Sequence, residues 1–399
     1  MRNSALGMSM LALAVKNHAR LMRDVFRSGK ESQGRLTPKR VAVMAVFLPV
    51  YTALQCVNAT GLALDRLLFP GFRRVRVERP VFVLGMPRSG TTFLHRLLAG
   101  DEKRFTATKL WELLFAPSIT QRYFWLGLGR LDRIIGRPVG RLLTAAENAA
   151  FGWFGDVHQT GLQDAEEDYL ALSLIGACFL LVLPFPFERV WRLAYFDEQL
   201  SSKEQQQVMA FYEGLVQRHL YVHGPERRFL SKNPSFTPMI ESLARTFPDA
   251  QFIACYRDPQ AAVPSLISSL QGGARLFGHR DPKVALGQQL IAMLRFYAQH
   301  LLATLPRLSL DQYAFIAMEN LTPEPRAQLE HLYRRLGWEI SSDYKAALAH
   351  EEARASGYKS KHRYSLTSLG FDEATIEREL GFLMRDLTEA DQDLRDCGA

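Results

Sequence analysis

Residues 80–100 read Pro80-Val-Phe-Val-Leu-Gly-Met-Pro-Arg-Ser-Gly-Thr-Thr-Phe-Leu-His-Arg-Leu-Leu-Ala-Gly100, and this stretch decides the fold. Val81 to Leu84 is an uninterrupted apolar run, the pattern of a short strand buried in a parallel sheet. Gly85 to Gly90 then forms a tight loop, and Thr91 to Leu98 carries Phe93, Leu94, Leu97 and Leu98 at helical spacing. Strand, glycine-bounded loop and helix in that order make a phosphate loop. The glycines let successive N–H groups converge on one anion, and the helix adds its positive end to the same spot. The nucleotide-triphosphate form, GxxxxGK[ST], places a lysine on the outer phosphates and a hydroxyl on magnesium. Gly85 and Gly90 keep that spacing, but Thr91 stands in the lysine's place and the cation, Arg88, sits inside the loop. A guanidinium able to fork onto a sulfonate or phosphate suits a ligand without a γ-phosphate, and magnesium need not take part.

Pro87-Arg-Ser-Gly-Thr-Thr92 resembles the 5′-phosphosulfate loop of sulfotransferases that use 3′-phosphoadenosine 5′-phosphosulfate, in the arginine form of tyrosylprotein and many bacterial sulfotransferases. A degenerate phosphate loop of another nucleotide-binding protein would share the hexapeptide, so a second signature matters. In Phe247-Pro-Asp-Ala-Gln-Phe-Ile-Ala-Cys-Tyr-Arg-Asp-Pro259, a strand over Gln251 to Tyr256 ends in Arg257, and the helix after Pro259 carries Ser265, eight residues beyond the arginine. This resembles the sulfotransferase segment whose arginine and serine grip the donor's 3′-phosphate. Arg228-Phe-Leu-Ser-Lys-Asn-Pro-Ser-Phe236 adds a short strand ending in Lys232, where open α/β sheets collect ligands. Its Leu-Ser-Lys-Asn-Pro resembles the segment whose lysine contacts the transferred sulfonate.

The resemblance covers roughly Arg79 to Leu387. It implies an α/β fold: a P-loop-like parallel sheet flanked by helices, with a helical acceptor-side insert over about 117–225. The implied reaction is in-line transfer of a sulfonate from the nucleotide donor to a hydroxyl. Arg88, Ser89, Gly90, Thr91 and Thr92 are expected on the 5′-phosphosulfate, Arg257 and Ser265 on the 3′-phosphate, and Lys232 with Arg88 on the developing charge. No metal is expected.

Two residues compete as the base. Glu112, in the apolar segment Lys109-Leu-Trp-Glu-Leu-Leu-Phe115, sits where burial would raise a carboxylate pKa. It follows the loop at nearly the interval of the catalytic glutamate in tyrosylprotein sulfotransferases, a few residues longer. His158 resembles a histidine ahead of an acidic pair in many bacterial sulfotransferases. A capping or paired Glu112 and a structural His158 stay open beside these roles. The cluster Asp164, Glu166, Glu167 and Asp168 reads as a helix N-terminus. The apolar run Leu170 to Leu183, short for a bilayer, reads as a buried helix or, more sharply, as the wall of an apolar acceptor pocket. The resemblance also implies a late basic loop over the donor, for which the turn 356–365 offers Lys359, Lys361 or Arg363, with Lys361 at its centre.

At 399 residues and 47% apolar, the chain has the makings of one large domain with extensions. Cys56, Cys178, Cys255 and Cys397 have neither metal-site nor disulfide-framework spacing, so reduced thiols are expected. The net charge of +8 would suggest nucleic acid until it is located. Residues 1–79 hold 14 Lys and Arg against 4 Asp and Glu, a balance of +10, so residues 80–399 carry −2 and no nucleic-acid partner is expected.

That basic N-terminal part stands outside the resemblance. It contains an amphipathic helix over Ser4 to Arg27 and an uncharged run from Val41 to Leu64, long enough to cross a bilayer. Pro49, Gln55, Asn58 and Gly61 interrupt the run, and basic residues on both sides give it no orientation. Peripheral attachment and packing on the domain therefore fit better than a span. The expectation is a cytoplasmic enzyme, attached to the inner face of the membrane if residues 1–79 dock there, with a small amphiphile or lipid hydroxyl as acceptor. The competing readings are a P-loop phosphotransferase and a membrane-surface protein that binds the nucleotide without turnover. No pattern bears on oligomeric state.

Overall fold

The computed structural model describes residues 2–27, 34–142, 144–145, 161–279, 284–355 and 372–396. His158, Lys359, Lys361, Arg363 and Cys397 lie outside the described residues. Five strands, β1 (Val81–Gly85), β2 (Phe105–Thr106), β3 (Arg228–Lys232), β4 (Gln251–Tyr256) and β5 (Tyr313–Ala317), form one parallel sheet in the order β2-β3-β1-β4-β5. The helices used below are α1 (Arg2–Arg27), α2 (Pro38–Leu68), α3 (Thr91–Ala99), α4 (Leu110–Phe115), α5 (Ile119–Ile134), α6 (Ser202–His223) and α7 (Pro259–Leu276).

The central strand explains its own composition. Every residue of β1 is buried. Val81 and Val83 join a core with Leu94, Leu98 and Ile253 on one face, while Phe82 and Leu84 join the larger core on the other. A strand covered on both sides must be apolar at every position, hence the absence of alternation. Phe82 stacks on Phe252 at 5.6 Å and meets Phe236 edge-on at 6.5 Å; each such burial is worth about 2–3 kcal/mol. The neighbours of β1 are β3 and β4, reached by connections leaving in opposite directions. The crevice beyond their carboxyl ends is a ready ligand site.

The end of β1 is fastened from two sides. Gly85 adopts φ 122°, and a Cβ there would lie 2.1 Å from the carbonyl oxygen of Cys255, so only glycine fits. Thr237 Oγ1 accepts from the Gly85 N–H at 2.9 Å and donates to the Gly85 carbonyl at 2.7 Å. Met86 N–H donates to the Cys255 carbonyl at 3.0 Å, which carries the chain from β1 over the end of β4.

The N-terminal helices pack on this domain. α2 runs unbroken through Pro49, and Gln55, Asn58 and Gly61, which interrupt the apolar pattern, all face inward. Its buried Arg40 donates to the carbonyls of Phe277 and Pro184 at 2.7 and 2.8 Å. At the other end, buried Asp65 accepts from Ile119 N–H, Thr120 N–H and Thr120 Oγ1 and pairs with Arg218 at 2.8 Å. The run 170–183 departs from the single buried helix expected. It forms two short tight turns, Asp168–Ile175 and Phe179–Val182, broken at Gly176 in the left-handed region at φ 67°. Leu172, Ile175 and Val182 are nonetheless buried, so the apolar run serves the core without helical continuity.

Thr237→Val, nearly the same shape, strands both backbone groups of Gly85 in the core. The expected loss is about 2–4 kcal/mol, read as a lower urea midpoint at unchanged m; an unaltered midpoint would show that the clamp is dispensable.

Candidate active site

Three strand ends supply the crevice. The loop after β1 holds Arg88 at φ 68°, a left-handed conformation costing a non-glycine residue about 1–2 kcal/mol. That turn sends its side chain toward α7, where Nε donates to Ser265 Oγ at 3.0 Å. Arg257, at the end of β4, donates from Nη1 to the Arg88 carbonyl at 3.4 Å. Asp258 caps α7 by accepting from Gln260 N–H at 2.8 Å, and Pro259 opens the helix, which holds Ser265 one strand away from the loop. The two cationic signatures therefore meet in one place. Ser89 is turned inward: its buried hydroxyl lies against the carbonyls of Met86 and Cys255 and braces the loop. Thr91 and Thr92 open α3 after Gly90, presenting the first-turn N–H groups that a helix cannot satisfy internally.

Lys232, at the end of β3, is buried, and burial of an ammonium demands counter-charge. Its Nζ lies 2.9 Å from Glu166 Oε1, 3.4 Å from Glu167 Oε1 and 3.4 Å from Thr92 Oγ1. Behind it on α3, His95 is kept neutral, its pKa pulled down to about 3 by burial and then by the Lys232 charge. The Glu167 pKa is raised, first by desolvation and also by Glu166, against the opposing pull of Lys232 and Arg88. The next carboxylate, Asp168, is buried among donors on both sides of the lysine: Ser231 Oγ at 2.8 Å, Asn233 Nδ2 and Tyr212 OH. It anchors the flanks of Lys232 and thereby aims the ammonium. Desolvation outweighs these hydrogen bonds and raises its pKa to about 7.

Glu112 belongs to a different cluster. Fully buried on α4, it meets Lys109 N–H at 2.9 Å, His223 Nε2 at 2.5 Å, Arg122 Nε at 3.6 Å and His219 Nδ1 at 4.0 Å. Burial alone would raise its pKa, but Arg122 and then the His223 hydrogen bond outweigh burial and hold it well below the ordinary value. The raised pKa expected from its apolar sequence is thus overturned: the opposing charge is Arg122, from the next helix α5, and the His223 hydrogen bond comes from α6, 111 residues on. Arg122 can only donate, so its 3.4 Å contact makes His219 Nδ1 an acceptor and leaves Nε2–H to donate to Thr106 Oγ1 at 2.8 Å. The ligand atoms of Glu112, His219 and His223 lie within 4.8 Å of one another, close enough to hold a metal ion. Arg122, pinned by the Ala116 carbonyl at 3.0 Å, already supplies the positive charge there, so the trio fits a guanidinium-centred knot better than a divalent cation.

A family model described as the sulfotransferase family matches residues 80–135 and 187–342, more than half of the chain. The chain belongs to the sulfotransferase family. It is 26% identical over 345 residues to omega-hydroxy-beta-dihydromenaquinone-9 sulfotransferase Stf3 of Mycobacterium bovis and, equally, to that of Mycobacterium tuberculosis, covering 80% of this chain and 79% of each relative. The crystal structure of sulfotransferase STF9 from Mycobacterium avium superposes with a TM-score of 0.68 at 18% identity, over 94% of this chain and 95% of that one. Sulfotransferase STF1 from Mycobacterium tuberculosis gives 0.69 at 18% identity, over 94% and 97%. These structures share the fold: one parallel sheet flanked by helices.

In this sulfotransferase, sequence reasoning found the residues at the strand ends and missed their partners. The acidic run 164–168 does open a turn at Asp168, as expected of a helix N-terminus. Yet Glu166 and Glu167 serve Lys232, and Asp168 serves its neighbours. The available signal was Lys232 itself, in a strand whose flanking residues are apolar and small, where a lysine requires carboxylates.

The folded Asp168 carboxyl ionises near pH 7, the free one near 3.8, so the folded state holds the extra proton between those values. Its contribution to stability is complete below about pH 4 and is lost as pH rises through 7. Urea unfolding across that range should show a downward slope that Asp168→Asn diminishes; identical slopes would count against the assignment.

Proposed function

We propose that this sulfotransferase takes 3′-phosphoadenosine 5′-phosphosulfate as donor and passes its sulfonate to a hydroxyl of an amphiphilic lipid. The observation that carries the reading is the contact of Arg88 with Ser265, with Arg257 on the Arg88 carbonyl. It gathers into one crevice the groups suited to two separate anions of one nucleotide. The residues present fit such a donor: the loop after β1 and the first turn of α3 offer N–H groups, and two guanidiniums stand beside them. Arg88 and the backbone from Ser89 to Thr92 would hold the 5′-phosphosulfate, and Arg257 with Ser265 the 3′-phosphate. The bound donor supplies an activated sulfonate and an adenosine bisphosphate leaving group.

The chain's own part is placement and charge. Lys232, fixed by Glu166 and aimed by the groups around Asp168, compensates negative charge growing on the leaving oxygen. Glu167 is the base. It is the more distant and more exposed of the two carboxylates on Lys232, and its raised pKa improves its proton affinity. Glu112, held ionised in a closed knot, instead positions the corner of α4, α5 and α6. The lipid acceptor rests on the likeness to a sulfotransferase named for a hydroxylated menaquinone derivative, and on the apolar segment 170–187 that directly follows the acidic residues.

Calorimetry with 3′-phosphoadenosine 5′-phosphate against ATP tests the donor: the former should bind more tightly, and preference for ATP would favour a phosphotransferase. Arg257→Ala should raise the donor KM about tenfold or more. Glu167→Gln should lower kcat by about 10²-fold, and wild-type kcat should fall as pH drops through the raised Glu167 pKa. If Glu112→Gln removes turnover while Glu167→Gln leaves it, the base has been misassigned. Labelled donor incubated with a lipid extract identifies the acceptor.

A further inference from the structure

α2 turns its polar groups inward. Its buried stripe sets Arg40, Tyr51, Gln55, Asn58 and Asp65, each hydrogen-bonded to the domain, among Met44, Gly61 and Leu62. Its outer face is aliphatic, with Val46 69% and Leu67 78% exposed and Val50 and Val57 beside them. A helix on a water-soluble domain shows the reverse arrangement. Among the described residues it is the helix long and apolar enough to cross a bilayer, with 22% of its most apolar window buried. Arg40 and Asp65, some 37 Å apart along a helix rising about 1.5 Å per residue, fasten both ends to the domain. The helix therefore lies along the surface and does not pass through a membrane.

α5 extends that face. Asp65 holds its first turn, where Gly61 allows a close crossing: a Cβ on Gly61 would sit 2.5 Å from Ser118 Oγ. Beyond Arg122 the helix leaves the domain. Its buried residues are Ile119 and Arg122, and a Cβ at Gly127 or Gly129 would meet nothing within 4 Å among the described residues. What it exposes is Phe124, Trp125, Leu128, Leu131 (60%), Ile134 (80%) and Ile135. Phe69, just past α2, packs edge-on against Tyr123 at 5.5 Å and joins the two faces.

The exposed charge within 38–76 and 113–145 is positive. Arg130, Arg133, Arg137 and Arg141 are exposed, as are Arg73, Arg74 and Arg76. The acidic residues in 38–76 and 113–145 are Asp65, buried on Arg218, and Asp132, whose carboxylate caps the next turn at Val139 and Gly140 N–H, both 2.8 Å. An aliphatic face with interfacial aromatics and exposed arginines that outnumber the nearby carboxylates fits an anionic lipid surface.

We propose that α2 and the projecting part of α5 dock this sulfotransferase in-plane on an anionic bilayer. The docking rests on the surface alone and not on the transfer reaction; if the acceptor is a lipid, docking brings the crevice to it.

Flotation of the full chain with vesicles tests this. Vesicles of phosphatidylcholine with phosphatidylglycerol should carry the protein, vesicles of phosphatidylcholine alone should carry less, and added salt should weaken the former. Leu131→Glu with Ile135→Glu should lower partitioning at least tenfold. Val46→Asp with Val50→Asp should do the same from α2, and Arg130→Glu with Arg133→Glu should erase the preference for anionic lipid. All three should keep the wild-type melting temperature and nucleotide affinity, so failure to bind vesicles is separable from failure of the donor reading. The proposal is overturned by equal partitioning of wild type and the apolar-face variants, by no vesicle binding at all, or by a dimer in solution that Leu131→Glu dissociates.

Discussion

Everything at the crevice hangs from the fastening of Gly85. One threonine hydroxyl satisfies both its backbone groups, and the chain then steps onto the carbonyl of Cys255 at the end of β4. Because the neighbour of β1 on its other side, β3, leads directly into the turn that carries Thr237, this junction ties three strand ends to a common level. Arg88, Lys232 and Arg257 are the residues at those ends or just past them. Their convergence follows from where parallel strands stop, with no long-range recognition among the side chains required.

Burial then decides which charges must be matched. Lys232 and Glu112 are both essentially inaccessible, and each recruits opposite charge, but with different outcomes. Around Lys232 the carboxylates are only partly covered, leaving room for an anion to compete for the ammonium. Around Glu112 the ring of Arg122, His219 and His223 is largely closed, and Arg122 itself is held by a backbone carbonyl. Breaking such a closed pair leaves one charge stranded, which costs about 3–5 kcal/mol. A carboxylate so committed is a poor partner for a passing proton.

The sequence made the strand-end chemistry legible because those signals are local: a residue's place in a glycine-bounded turn, or directly after an apolar strand, is set within ten positions. For Glu112 the capping and paired alternative matches the structure, and the raised pKa fails because its partners come from the next helix, α5, and from α6, 111 residues on. The run 170–183 was misread for a local reason, since Gly176 permits a left-handed break that apolar content does not reveal. The interruptions of 41–64 weigh against a simple span in the sequence, and the packing gives them a role: Gln55, Asn58 and Gly61 recur on one face, and it is the inward one. The carboxylates at 164–168 were seen, and their division of labour was not, because it depends on β3.

Asp65 gathers donors from α5 and α6 onto a single carboxylate, and α6 runs into the strand that carries Lys232. The first 79 residues therefore cannot be trimmed away as an appendage. A shortened chain beginning at β1 would leave Arg218 desolvated without its counter-ion, open the first turn of α5 and uncover the carbonyls now capped by Arg40. Its catalytic half would be expected to precipitate, and a more soluble form is reached by replacing the outward valines of α2 while keeping its inward stripe.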